Sequence, residues 1–297
     1  MSDARERDAE RQIGLANVEG RATILRRGRG VDIADLSEGR WGPDARSILD
    51  DWAAYSSWLA DLPSLPPGEP VDAARLGPPV PEPRQVFAIG LNYAAHAAEA
   101  GFDATGMPQV FTKFPSCLSG PVGSVPAHSP RLDWEVELVA VVGARAEHVA
   151  VGDGWNFVAG LMVGQDLSAR DVQLAGNAPQ WSLGKSFPGF GPTGPAMVPI
   201  EHVPNRHDLR IECLLNGEVV QSARTSHQIW SVPHLVSRLS SILPLLPGDL
   251  IFTGTPSGVG NRRTPPRYLQ PGDELVSRIE ALGELHTSIV AEDRGNT

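Results

Sequence analysis

Cysteine is nearly missing from these 297 residues: only Cys117 and Cys213 occur, which excludes a disulfide framework. No apolar run approaches the roughly 18 residues that a membrane-spanning helix needs. An excess of positive charge is missing as well. Twenty-five Lys and Arg against 35 Asp and Glu leave a net charge of −10, which excludes the basic surface that nucleic acid requires. The opening segment, MSDARERDAER, lacks the apolar stretch of a secretory signal. Taken with the two cysteines, this gives the expectation of a reducing, cytoplasmic setting, with residues 1–12 as a disordered tail. What the chain has in plenty is turn formers, 31 glycines and 27 prolines, as in a protein of many short strands.

The pattern divides the chain in two. Residues 13–36 alternate and break at glycines, predicting a few short strands. Asp44 then caps a helix whose Ile48, Trp52, Tyr55 and Leu59 share one face. Residues 13–62 are thus expected to form a small N-terminal domain. Eight prolines between 63 and 83 predict an extended linker, because proline lacks the amide that a helix or central strand needs. From 84 to 297 the expectation is a mainly β, α+β domain. Its strands include 85–89, 132–142 and 157–165, and a short helix from Asn92 to Ala100 carries His96 and Glu99. Asn216-Gly217 joins two further strands as a hairpin. Ser231 and Pro233 open a helix, and Pro-Gly-Asp at 247–249 and 271–273 turns into two more strands.

Five segments carry chemistry. In Asp-Trp-Glu-Val-Glu-Leu (133–138), alternation puts Asp133, Glu135 and Glu137 on one face of a strand. A solvated acidic face is one reading. The other is a cation site, because the strand runs on into Val-Ala-Val-Val, apolar on both faces, where bare carboxylates are costly. In Asp-Leu-Ser-Ala-Arg-Asp-Val-Gln (166–173), Arg170 and Gln173 lie one and two turns beyond Asp166, the pattern of a capped helix start or of a site. His96 and Glu99 are three apart on a helix, where a carboxylate can hold an imidazole as a base or merely bond to it at the surface. Gly184-Lys185-Ser186 imitates the end of a phosphate loop. However, Pro179 stands where that motif needs its first glycine, so Lys185 is read as a cation projecting into a pocket. Last, Phe252 to Gly260 is a strand entering a glycine loop with Thr255, a shape that can bind a carboxylate.

In this order, Gly-Leu-Asn-Tyr (90–93) with His96 and Glu99, then the segments at 133–138, 166–173, 184–187 and 252–260, resemble the fumarylacetoacetate hydrolase family from about residue 86 to 290. The resemblance implies a rolled, barrel-like mixed sheet and Mg²⁺ or Mn²⁺ held by Glu135, Glu137 and Asp166. It implies a water-activating pair in His96 and Glu99, with Arg170, Gln173 and Lys185 on substrate oxygens and Thr255 on a substrate carboxylate. It also implies a homodimer acting on a small dicarbonyl acid. Asp133 matches no ligand position. Seven residues before the catalytic histidine, where the founding eukaryotic enzyme has a fourth metal carboxylate, this chain has Ile89, as shorter members do. The implied activity is hydrolytic cleavage of the C–C bond of a 1,3-dicarbonyl acid such as an acylpyruvate. The runners-up are a 2-hydroxyhepta-2,4-diene-1,7-dioate isomerase, an oxaloacetate decarboxylase and a dienoate hydratase. A non-catalytic binding protein ranks last, because His96, Glu99 and Lys185 are all present.

Overall fold

A computed structural model describes residues 13–100 and 107–292. The expected tail at 1–12 lies outside them.

Strands β1 (Gly14–Val18), β2 (Arg21–Arg26) and β3 (Arg29–Asp32) form a meander, followed by helices α1 (Ile33–Leu36), α2 (Ala45–Asp50) and α3 (Trp52–Ala60). The expected single helix from Asp44 is broken at Asp51, although Asp44 does cap it by accepting the Ser47 amide. Residues 63–83 hold the two-residue strands β4 (Glu69–Pro70) and β5 (Leu76–Gly77), and the expected extended run is interrupted by a 3-10 turn at Ala73–Arg75. Then come β6 (Val86–Gly90), α4 (Ala94–Ala100), β7 (Gln109–Thr112), β8 (Leu118–Ser119), β9 (Val122–Pro126), β10 (Leu132–Asp133), β11 (Val136–Val142), β12 (Val158–Gln165) and β13 (Ser168–Ala169). Helices α5 (Arg170–Gln173) and α6 (Trp181–Gly184) lead to β14 (Gly191–Pro199), β15 (Arg210–Leu215) and β16 (Glu218–Arg224). Helix α7 (Val232–Ser240), β17 (Leu250–Phe252), β18 (Glu274–Ile279) and β19 (Gly283–Val290) complete the described order.

The main sheet runs β4-β3-β2-β1-β14-β12-β11-β17-β6-β7, and a second runs β16-β15-β18-β19-β9. The mixed, mainly β class holds, but the sheets stay open and form no closed barrel. The N-terminal meander joins the main sheet through β1 and β14, which pair Leu15 with Met197.

β11 and β12 are central and buried on both faces, as their unbroken apolar runs predict. On one face, Leu138, Ala140, Val142 and Leu161 pack with Ile211, Leu275 and Leu285 of the second sheet and with Leu235 and Leu239 of α7. On the other, Val139, Val141 and Met162 pack with Leu15, Ile24, Ile48, Leu49 and Tyr55. The β15–β16 hairpin turns at Asn216 (φ 52°) and Gly217 (φ 83°), the two positive values its tight turn needs.

The strand expected over 132–142 is interrupted. Residues 134 and 135 belong to neither β10 nor β11, because β10 leaves the main sheet to pair with β13. Beside this break, β6 and β17 run parallel, tied at their start by Asp249, which accepts from the Gln85 amide at 3.0 Å and from its side chain at 2.7 Å. Their far ends deliver Ile89 and Thr253–Thr255 to the same place.

Removing a buried aliphatic side chain costs about 2–5 kcal/mol. Ile48→Ala should lower stability by about that amount in denaturant unfolding, within the single transition of the whole chain. Two resolved transitions would mean that the N-terminal layer melts separately.

Candidate metal centre

Glu135, Glu137 and Asp166 are all buried, and they place one carboxylate oxygen each within 4.8 Å of one another. Glu135 comes from the break before β11, Glu137 from β11 itself, and Asp166 directly follows β12. The Asp166 amide donates to the Glu135 carbonyl at 2.8 Å, so two of the three are joined through their backbones.

Cations surround them. Lys185 donates to Glu135 Oε2 at 2.8 Å and to Asp166 Oδ2 at 2.7 Å. Lys113, fully buried, donates to Asp166 Oδ1 at 2.7 Å, to the Phe190 carbonyl at 3.2 Å and to the Lys185 carbonyl. Arg170 lies 2.6 Å from Glu135 Oε1 and donates to Asp133 Oδ2 at 2.8 Å. Asp133 is thereby resolved. Its Oδ1 accepts from the amides of Trp134 (2.9 Å) and Gly260 (2.7 Å), and its Oδ2 from Asn261 (3.0 Å) as well as Arg170. With both oxygens spent, it anchors Arg170 to the 258–262 loop and is not one of the clustered ligands.

The carboxyls respond in opposite ways. Burial works against charge on Glu135, but Lys185, Arg170 and His96 outweigh it and hold the group at about 2. Glu137 is pushed well above the usual carboxylate range by burial, reinforced by the charges of Asp166 and Glu135. Its Oε2 accepts the Gly254 amide at 2.8 Å, too little to offset them. Gly254 has φ +94°, and an added Cβ would stand 2.7 Å from Asn92 Cβ, so this position requires glycine. A buried carboxyl trio with one member forced toward its neutral form suits a hard divalent cation, which would relieve the repulsion and prefers oxygen donors.

Above the trio is a cavity of about 120 Å³ whose lining includes His96, Glu135, Arg170, Gln173, Lys185 and Thr255. The expected site residues are thus brought together, with Glu99 behind His96. His96 Nδ1 is 3.1 Å from Glu99 Oε2, and Glu99 also faces the Gly258 amide at 3.3 Å. Gln173 Oε1 accepts from Arg170 at 2.8 Å. The Thr255 hydroxyl donates to the Val136 carbonyl at 2.9 Å and accepts from Gln221 at 2.8 Å, so it can donate to a substrate only by breaking the first bond. Ile89 lines the cavity, in keeping with three clustered carboxylates where the founding enzyme has four. Sequence reasoning missed Lys113. Its segment, Gln-Val-Phe-Thr-Lys (109–113), ends an ordinary edge strand, and only the tertiary fold brings it to Asp166.

The family model described as "Fumarylacetoacetate (FAA) hydrolase C-terminal" matches residues 85–290. The chain belongs to the fumarylacetoacetate hydrolase family. Among members of that family, it is 42% identical over 239 residues to the human mitochondrial oxaloacetate tautomerase FAHD2A, covering 80% of this chain and 75% of that one. A Mycobacterium smegmatis structure provisionally named HpcE is 46% identical, with a TM-score of 0.90 over 94% of this chain and 99% of its own. Fumarylpyruvate hydrolase from Pseudomonas aeruginosa, solved with Mn²⁺ and pyruvate, is 33% identical, with a TM-score of 0.64 over 70% and 90%. The family thus spans tautomerases and hydrolases, and a metal-binding relative supports a metal at the acidic trio.

The expected cytoplasmic setting is corrected. The bovine, rat and human relatives, 40–42% identical, are mitochondrial proteins. Two cysteines speak against a disulfide framework, but they do not name a compartment.

The pH dependence follows from Glu137. Its carboxyl is raised in the folded protein above the ordinary 4.5, so the metal-free fold binds an extra proton and loses stability as pH rises above about 4.5. Glu135 has the opposite sign, contributing stability above 4.5 that is lost as pH falls toward 2. Because a ligand carboxyl must be deprotonated, cation binding strengthens with pH. The rise in melting temperature on adding Mn²⁺ should therefore be larger at pH 8 than at pH 5.5 and shrink in Glu137→Gln. An equal rise at both pH values would remove Glu137 from the ligand set.

Proposed function

We propose that this chain interconverts the keto and enol forms of a small 2-oxo dicarboxylic acid, with oxaloacetate, the substrate named for its mammalian relatives, as the substrate. The observation that carries this reading is the small cavity in which His96, Lys185 and Arg170 converge over the carboxylate trio. About 120 Å³ suits a four-carbon acid better than the long chain of fumarylacetoacetate.

A divalent cation held by Glu135, Glu137 and Asp166 would supply Lewis-acid polarisation of the 2-oxo acid oxygens. The protein supplies the rest. His96 has Nδ1 engaged by Glu99, which leaves Nε2 to take a proton from C3 of the keto form or return one to it. The proton lost from C3 is matched by one gained at the C2 oxygen, so the step is balanced without an attacking water. Lys185 and Arg170 offset the negative charge that develops on that oxygen while it lacks a proton. Buried walls from Ile89, Phe111 and Val259 limit water at the reacting carbon.

The hydrolytic reading comes second, favoured by the His96–Glu99 pair, which can equally activate water. The two readings part in one assay. Purified protein with Mn²⁺ is given oxaloacetate or an acylpyruvate, the enol absorbance is followed, and released pyruvate is assayed separately. Accelerated enol decay of oxaloacetate without pyruvate release is the expected result. Pyruvate released from the acylpyruvate at a comparable rate would favour hydrolysis, and no acceleration of either over buffer would sink both. Loss of one oxyanion-stabilising donor costs about 100- to 1,000-fold. Lys185→Ala should lose about that much turnover, and His96→Ala at least as much.

A further inference from the structure

The ladder break at 134–135 removes regular sheet partners from the very residue that lines the cavity with its carboxylate. Two buried glutamines fill the gap. Gln165 Oε1 accepts the Glu135 amide at 2.5 Å, and Gln221 Oε1 accepts the Val136 amide at 3.1 Å. Each carboxamide is fixed at its other end. Gln165 Nε2 donates to Ser277 Oγ at 2.8 Å, and Gln221 Nε2 donates to Thr255 Oγ1 and the Pro256 carbonyl, both at 2.8 Å. Both glutamines are at most 1% exposed. The side-chain hydrogen bonds of both go elsewhere than to the clustered carboxylate oxygens, and neither residue lines the cavity.

We infer that Gln165 is a positioning residue that sets Glu135 for cation binding by gripping its backbone. The geometry is a two-sided hold. The side chain of residue 165 takes the Glu135 N–H, while the backbone amide of residue 166, itself one of the trio, donates to the Glu135 C=O at 2.8 Å. Two consecutive residues therefore fix both backbone polar groups of one residue, and the distance between two carboxylates of the trio is set by a connection one residue long. An unsatisfied buried amide costs free energy, so without Gln165 the Glu135 segment would shift toward another partner and carry its carboxylate with it. Ser277 sits on β18 of the second sheet, so the hold also references the trio to the layer beneath. Gln221 does the same for Val136 from the β15–β16 hairpin.

This inference rests on the reading of Glu135 as a cation ligand, and the test separates the two. Mn²⁺ affinity is measured by electron paramagnetic resonance or calorimetry on wild-type protein and on Gln165→Met, which keeps length and volume but cannot accept the amide. Groups that orient ligands from behind typically contribute 10- to 100-fold to metal affinity. Mn²⁺ binding should weaken by about that factor in Gln165→Met, and Gln165→Glu, which retains an acceptor oxygen, should stay much closer to wild type. Activity lost in Gln165→Met should return as Mn²⁺ is raised, which a general loss of packing would not allow. If Gln165→Met does not fold, Gln165→Ala takes its place, with the same direction of change expected. Wild-type protein that fails to bind Mn²⁺ would overturn the ligand reading itself. Wild-type protein that binds Mn²⁺, beside a folded Gln165 variant lacking the acceptor that binds it equally well, would overturn the role of Gln165.

Discussion

Charge taken out of water is the constraint on which this structure turns. Asp133, Glu135, Glu137 and Asp166 are buried at the mouth of a strand whose remaining residues are apolar on both faces. Three buried cations, Lys113, Lys185 and Arg170, stand against them. Were Glu137 neutral, the state toward which burial and its acidic neighbours push it, the sum of these formal charges would be zero. A divalent cation with Glu137 ionised would move the sum to one positive charge, complementary to an incoming carboxylate. Substrate affinity and cation occupancy are thus linked by electrostatics before any detail of chemistry is considered.

The layers around the centre make that arrangement rigid. The second sheet and α7 close one side of β11 and β12, and the N-terminal meander and helices close the other. The parallel pair β6–β17 then brings in the loop of Thr253–Thr255. Asn92 ties this loop to the start of the dyad helix by donating to the Thr253 carbonyl at 2.7 Å. Asp133 extends the connection to Arg170 and the 258–262 loop, whose Gly258 amide faces Glu99. The groups assigned to proton transfer and to oxyanion charge are therefore held by buried and part-buried hydrogen bonds to neighbouring loops.

Much of this was legible in the sequence because it depends on local rules. The Asn216-Gly217 hairpin, the doubly buried run after Glu137 and the cap at Asp44 all follow from neighbours along the chain. Alternation placed Asp133, Glu135 and Glu137 together but could not rank them, since two of the three amides that occupy Asp133 come from distant residues, 260 and 261. The break at 134–135 was invisible for the same reason: β10 finds its partner in β13, more than thirty residues away. Lys113 and the two glutamines carry no pattern of their own, and their roles exist only once distant strands are paired. The order of five motifs supplied what local rules lacked, identifying the trio that the structure then gathers within 4.8 Å.

The grip of residues 165 and 166 on residue 135 has a meaning for assembly as well. β11 and β12 are so uniformly apolar that their sequences alone offer little to stop one sliding past the other, and a one-residue slip exchanges the faces of every side chain. Here such a slip would strip Glu135 of both backbone partners and turn Glu137 into the layer of Leu235 and Leu285. The polar centre thus acts as an alignment key, penalising every pairing of the two central strands but the native one.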